Sequence, residues 1–115
     1  MDSPLKALFG NETAAVLMLY LFHHGEAYAN GVAKDLELTL SSVQLQLAKF
    51  ESAGLLVSKR VGGTRVFSFN LKHPATRKLQ ALIQVFYEGM SLKERQKMFR
   101  VRRRPRRRGK PVIAE

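Results

Sequence analysis

Apolar residues run almost without interruption through 14-AAVLMLYLF-22, the longest such run in the chain. A helix that is apolar nearly all round belongs at the centre of a fold. Asn11 is placed to cap it, Glu12 suits its first turn, and Gly25 stops it just beyond His23 and His24. Ahead of it, Ser3-Pro4 has the form of a cap followed by proline at the first helical position, which predicts a short helix to about Phe9, ended by Gly10. Beyond it, Val32, Ala33 and Leu36 form the apolar face of a short helix from about Ala29 to Leu36, and Glu37-Leu38 forms a turn. Leu40, Val43, Leu47 and Phe50 then recur at the spacing of one helical face, with Thr39 as cap and Gly54 as the left-handed stop.

The period next changes from helical to alternating. Leu56–Val61 and Arg65–Phe69 are rich in β-branched and aromatic residues and are split by Gly62-Gly63-Thr64, which predicts a hairpin. Pro74 opens a longer helix with Leu79, Leu82, Ile83, Phe86, Tyr87 and Met90 on one stripe. Ser91-Leu92-Lys93-Glu94 has the form of a capping box and begins a basic helix to about Phe99. The expected architecture is mainly α with a small β-hairpin: a helix-turn-helix followed by a β-wing, with a C-terminal dimerisation helix.

A helix over residues 40–53 is about 21 Å long, and the DNA major groove, roughly 12 Å wide, takes one helix. The side away from its apolar face carries Ser41, Ser42, Gln44, Leu45 and Lys49, with Thr39 at its start. Glutamine can pair with adenine, serine is adaptable, leucine can touch a thymine methyl, and Lys49 lies towards phosphate. The wing, residues 56–70, would bring Lys59, Arg60 and Arg65 to the backbone or the flanking minor groove. Each of these residues also has a plain reading as solvated surface, and Leu45 as core; the basic hairpin directly behind them favours DNA contact.

Charge sharpens the picture. The 115 residues carry a formal net charge of +11. Residues 1–90 hold nine Lys/Arg against seven Asp/Glu, a balance of +2, and residues 91–115 hold eleven against two, a balance of +9. The composition shift near Arg100 divides the chain into a domain over 1–90, with the dimerisation helix at 74–90, and a segment over 91–115 made of a basic helix and an arginine-rich tail expected to be disordered in isolation. Arg102, Arg103, Arg104, Arg106, Arg107 and Arg108 of that tail are expected to contact phosphates without reading sequence.

Composition also excludes. Without cysteine there are no disulfides, thiolate nucleophiles or thiolate metal sites. His23 and His24 are adjacent and do not share a helix face, and His73 stands apart, so no metal or other cofactor is expected. Glu12, Glu26, Asp35 and Glu37 form no spaced carboxylate pair, Ser41 and Ser42 lack a recognisable His/Asp partner, and Gly62-Gly63 is a turn, so no enzyme is expected. No apolar run nears the ~18 residues of a membrane span, and the acid in MDSPLKALF is unlike a signal peptide, so a cytoplasmic protein without membrane contact is expected.

Residues 28-YANGVAKDLELTLSSVQLQLAKFESAGLLVSKRVGGTRVFSFN-70 resemble the winged helix-turn-helix of ArsR/MarR-type bacterial and archaeal regulators. The resemblance rests on Val32-Ala33, on Thr39-x-Ser41-Ser42-Val43, on Leu47-x-x-Phe50-Glu51-x-Ala53-Gly54-Leu55-Leu56, and on the glycine turn followed by Val66–Asn70, and it extends more weakly over residues 4–90. Residues 8–22, Tyr28, Gly62 and Asn70-x-x-x-Pro74 are also similar to winged-helix modules found beside nucleotidyltransferase domains. No such domain follows here, which leaves a free-standing regulator or a module acting with a separate partner. Members of the regulator family are typically homodimers, which implies that Leu79, Leu82, Ile83, Phe86, Tyr87 and Met90 form a dimer interface. Two recognition helices about 34 Å apart would then read an inverted repeat. The expected function is a sequence-specific regulator of transcription on double-stranded DNA, acting as a repressor. The rival expectation is an adaptor or subunit that docks protein through the winged helix and binds RNA or other nucleic acid through its tail.

Overall fold

The computed structural model describes residues 4–99. In chain order these form α1 (Pro4–Phe9), α2 (Glu12–His24), α3 (Ala29–Leu36), α4 (Leu40–Ser52), β1 (Leu56–Val61), β2 (Thr64–Phe69), α5 (Thr76–Glu88) and α6 (Leu92–Phe99). Ser3 and Arg102, Arg103, Arg104, Arg106, Arg107 and Arg108, expected to cap a helix and to contact phosphate, lie outside the described residues.

Helix α2 is the hub, with every residue from Ala14 to Leu21 buried. Asn11 Oδ1 accepts the Ala14 N–H at 2.8 Å, and Gly25, at φ +88°, closes the helix by donating its N–H to the Leu21 carbonyl at 2.7 Å. Around α2 pack Leu5 of α1, Val32 of α3, Val43, Leu47 and Phe50 of α4, Leu56, Phe67 and Phe69 of the hairpin, Ile83 of α5 and Phe99 of α6. Each leucine-sized side chain so buried contributes about 1.5–3 kcal/mol, which is why one central helix can organise the whole domain.

The strands pair antiparallel from Leu56↔Phe69 at the base to Val61↔Thr64 at the tip. Leu56, Phe67 and Phe69 face the core, whereas Val57 and Val61 on the other face are exposed. The link between α2 and α3 is stitched to this hairpin, since Ala27 and Phe67 exchange two backbone hydrogen bonds of 3.0 and 2.7 Å.

The junction between α4, the wing and α5 is organised by Gly54, Asn70 and His73. Asn70 Nδ2 donates to the Gly54 carbonyl at 2.8 Å, Asn70 Oδ1 accepts the Lys72 N–H at 3.1 Å, and His73 Nδ1 accepts the Ala75 N–H at 3.0 Å. Pro74 therefore lies in a turn, and α5 begins at Thr76 instead of at the proline. Gly54 sits at φ +87°, and a Cβ there would come within 3.0 Å of His73 Cδ2. Gly54→Ala is expected to lose about 1–2 kcal/mol from the left-handed backbone alone. Urea denaturation checks this against Gly63→Ala, where an added Cβ meets nothing within 4 Å and the loss should be small.

Two expected faces differ in detail. On α4, Leu40 remains 38% exposed at the first helical position, and Gln46, 7% exposed, takes a place in the buried face. On α5 the apolar stripe splits. Ile83 is fully buried in the chain's own core, Leu79, Phe86, Tyr87 and Met90 pack partly against that core, and Leu82 and Val85 point outward at 39% and 63% exposure. Ile83 lies on the face of α5 that packs on α2, and the end of α5 is met at Tyr87 by Arg95 and Phe99 of α6. The start of α6 is a reciprocal capping box, with Ser91 N–H donating to Glu94 Oε1 at 2.8 Å and Glu94 N–H to Ser91 Oγ at 3.0 Å. Its end is Phe99, 2% exposed and stacked on His23 and Tyr87. A boundary at residue 90 would thus separate Phe99 from the core it belongs to.

Candidate nucleic-acid interface

Helices α3 and α4 meet at a tight turn. Glu37 adopts the left-handed conformation at φ +57°, and the Leu38 N–H donates to the Ala33 carbonyl at 2.9 Å. Within α3, Gly31 lets the Tyr28 ring lie close, since a Cβ there would come within 3.0 Å of it. The same turn delivers Thr39 as the cap of α4. Its Oγ1 accepts the Ser42 N–H at 3.3 Å while its hydroxyl donates to Ser42 Oγ at 2.7 Å. Thr39 and Ser42 are thereby tied to one another, and their first role is to start the helix.

With Val43, Gln46, Leu47 and Phe50 held inward, successive turns of α4 present Ser41, Gln44, Leu45, Ala48 and Ser52 on the opposite side, all exposed. Leu45 is 65% exposed, so it is not a core residue. Lys49 lies at the edge of this stripe with its Nζ 5.2 Å from the centre of the Phe50 ring. Ala48 and Ser52 are not among the residues expected on this side. Their signal is positional, one and two turns after Gln44.

The wing divides its cations between two faces. Arg60 and Arg65 are directly opposed across the strands, on the same face as Leu56, Ser58 and Phe67, whereas Lys59 projects from the other face. Arg65 is anchored: its Nη1 donates to Ser58 Oγ at 2.8 Å, and the Ser58 hydroxyl donates to Glu51 Oε2 at 2.6 Å. Glu51 belongs to the last turn of α4, so this chain of contacts joins the outer helix to the wing. In the sequence, Glu51 enters only as part of a resemblance motif, and neither Glu51 nor Ser58 is given a role at the interface.

The histidines at the end of α2 lie on the far side, in an aromatic cluster. His23 Nδ1 and the Tyr87 hydroxyl are 2.7 Å apart, the His23 ring stacks on Phe99 at 5.1 Å, and the Arg95 guanidinium lies 4.4 Å above the Tyr87 ring. Burial first, and then the Arg95 charge, holds His23 below the usual imidazole range. Burial likewise lowers His24, reinforced by His23 and opposed by Asp35. Among the described residues no group of three His, Cys, Asp or Glu side chains converges as a metal site would require, and no helix is long and apolar enough to cross a membrane.

The chain matches no family model, and no curated protein matches it. Solved structures do. One is the crystal structure of a possible transcriptional regulatory protein (fragment 1–100) from Mycobacterium bovis, 21% identical, with 73% of this chain and 87% of that chain covered at a TM-score of 0.53. Another is the solution structure of a homodimeric winged helix-turn-helix DNA-binding domain (fragment 1–100) from Mycobacterium bovis, described as a possible ArsR-family transcriptional regulator. It is also 21% identical, with 76% and 89% of the two chains covered and a TM-score of 0.53. At this level of identity the likeness concerns the fold, and the fold of residues 4–99 is a winged helix-turn-helix.

Proposed function

We propose that the chain is a sequence-specific double-stranded DNA-binding regulator of transcription that acts as a homodimer and represses. The observation that carries this reading is the outward stripe of α4. Ser41, Gln44, Leu45 and Ala48 are exposed on a helix whose opposite face is buried, and the stripe is polar except for one leucine and one alanine. A stripe of small and hydrogen-bonding side chains suits the major groove, where base edges offer donors, acceptors and thymine methyls. Arg60 and Arg65 would rest on the backbone or in the flanking minor groove, and Lys59 on the side of the wing away from α4. Leu82 and Val85 of α5 are the outward apolar groups through which two copies would pair. The DNA-binding domain is residues 1–90 together with α6, and the basic segment from Arg100 adds phosphate contacts in the cytoplasm of its cell.

Selection from random duplex DNA at ~150 mM salt tests the reading, because that salt suppresses purely electrostatic binding. Enrichment of one inverted repeat is the expected outcome. Gln44→Ala should then relax the preference at one position of each half-site by about 1–3 kcal/mol, the worth of one paired base contact. A selection that enriches nothing would turn the reading towards the adaptor, whose nucleic-acid affinity resides in the tail.

A further inference from the structure

We infer that Glu51 and Ser58 are positioning residues that hold Arg65 beside Arg60 as a preformed seat for one phosphate of a DNA duplex. The inference rests on the DNA-binding reading above and names two residues that the reading itself does not use.

The argument turns on the single hydroxyl hydrogen of Ser58. A serine hydroxyl donates once and accepts through its lone pairs. Its donation to Glu51 Oε2 at 2.6 Å commits that hydrogen, so the oxygen can only accept on its other side, where Arg65 Nη1 stands at 2.8 Å. Glu51 therefore decides which way Ser58 points, and Ser58 decides where the guanidinium lies. Glu51 and Ser58 are half-buried and Arg65 is exposed, so the relay runs from the packed corner between α4 and β1 out to the surface.

At that surface Arg65 faces Arg60 directly across the strands. Like charges so opposed weaken a hairpin unless something lies between them. Arg60 has no hydrogen-bond or ion-pair partner among the described residues. A guanidinium has five N–H donors, and the Arg65 bond to Ser58 uses one of them, leaving the rest for an anion. Two arginines side by side, one already ordered, match a tetrahedral phosphate that accepts from both. Ordering Arg65 before binding removes the entropic penalty of fixing a long side chain at the moment of contact. The seat reads no bases. It fixes how far the wing stands from the backbone, and through Glu51 it ties that distance to the last turn of α4.

A double-mutant cycle on the full chain tests this, with a mixed-sequence 30-base-pair duplex as the probe. Ser58→Ala is expected to weaken binding by about two- to tenfold, the factor associated with immobilising one long side chain. In an Arg65→Ala background the same change should have no effect. Glu51→Gln, which keeps an acceptor for the Ser58 hydroxyl, should bind as the parent does, whereas Glu51→Ala should fall with Ser58→Ala. Equal losses from Ser58→Ala in both backgrounds would show a general structural role and overturn the relay while leaving the DNA-binding reading intact. A parent chain that fails to bind the duplex even at low salt overturns that reading, and the relay with it. Thermal midpoints of all variants, followed by circular dichroism, separate lost binding from lost folding.

Discussion

Leu17→Ala is expected to lower stability by about 2–5 kcal/mol and the thermal midpoint by on the order of 10 °C or more. Leu17 is fully buried in the middle of α2, and the helix is enclosed by elements from both ends of the domain. A side chain truncated there leaves a cavity that packed neighbours can only partly fill, and the loss combines transfer and cavity terms. Against a total stability of about 5–15 kcal/mol, that is a large share. Urea denaturation followed by far-ultraviolet circular dichroism measures it, with Leu45→Ala as the comparison. Leu45 is the same residue type, 65% exposed on the outward stripe of α4, and its truncation should change stability by less than about 0.5 kcal/mol while altering DNA preference. Equal losses at the two leucines would contradict the central position of α2.

The second large effect belongs to the basic segment. Ending the chain after Phe99 removes residues 100–115 and keeps every described core side chain. If the removed arginines neutralise six phosphates, the slope of log K against log salt should become shallower by about five. Between 50 and 200 mM salt, the full chain should then lose about 1,000-fold more affinity than the shortened one. Titrations of a labelled duplex at several salt concentrations check this. The sequence preference of the two chains should agree, because phosphate contacts position without reading bases. A preference that disappears with the segment would place the reading elements outside α4.

Much of this architecture is legible in the residues because local and global signals agree. The all-apolar run in α2, the helical spacing of Val43, Leu47 and Phe50, and the change to alternation at Leu56 each leave one reading. The caps are legible for the same reason: Asn11, Thr39 and Ser91 each bond where a cap should. The outward stripe of α4 followed from subtraction, since residues absent from the apolar face must lie elsewhere. What escaped depends on contacts between distant segments. The burial of Gln46 is not encoded in its polarity, the division of the α5 stripe depends on how α5 lies on α2, and Phe99 joins the core by returning to Tyr87 and His23. The relay from Glu51 to Arg65 is illegible for another reason. It joins three residue types common on any surface, and only the hairpin register brings Ser58 and Arg65 onto one face.

The two backbone hydrogen bonds between Ala27 and Phe67 carry a mechanical consequence. They clamp the wing near its root, where Leu56 and Phe69 are also embedded, and leave the end at Gly62-Gly63 projecting. A beam held at one end bends most at the other. Under the proposed DNA-binding reading, grooves of different width would be met by deflection of the tip, while the root keeps its place beside Ala27. A lateral load applied to the tip passes through that clamp into the segment between α2 and α3, so the wing and the helix pair behave as one lever.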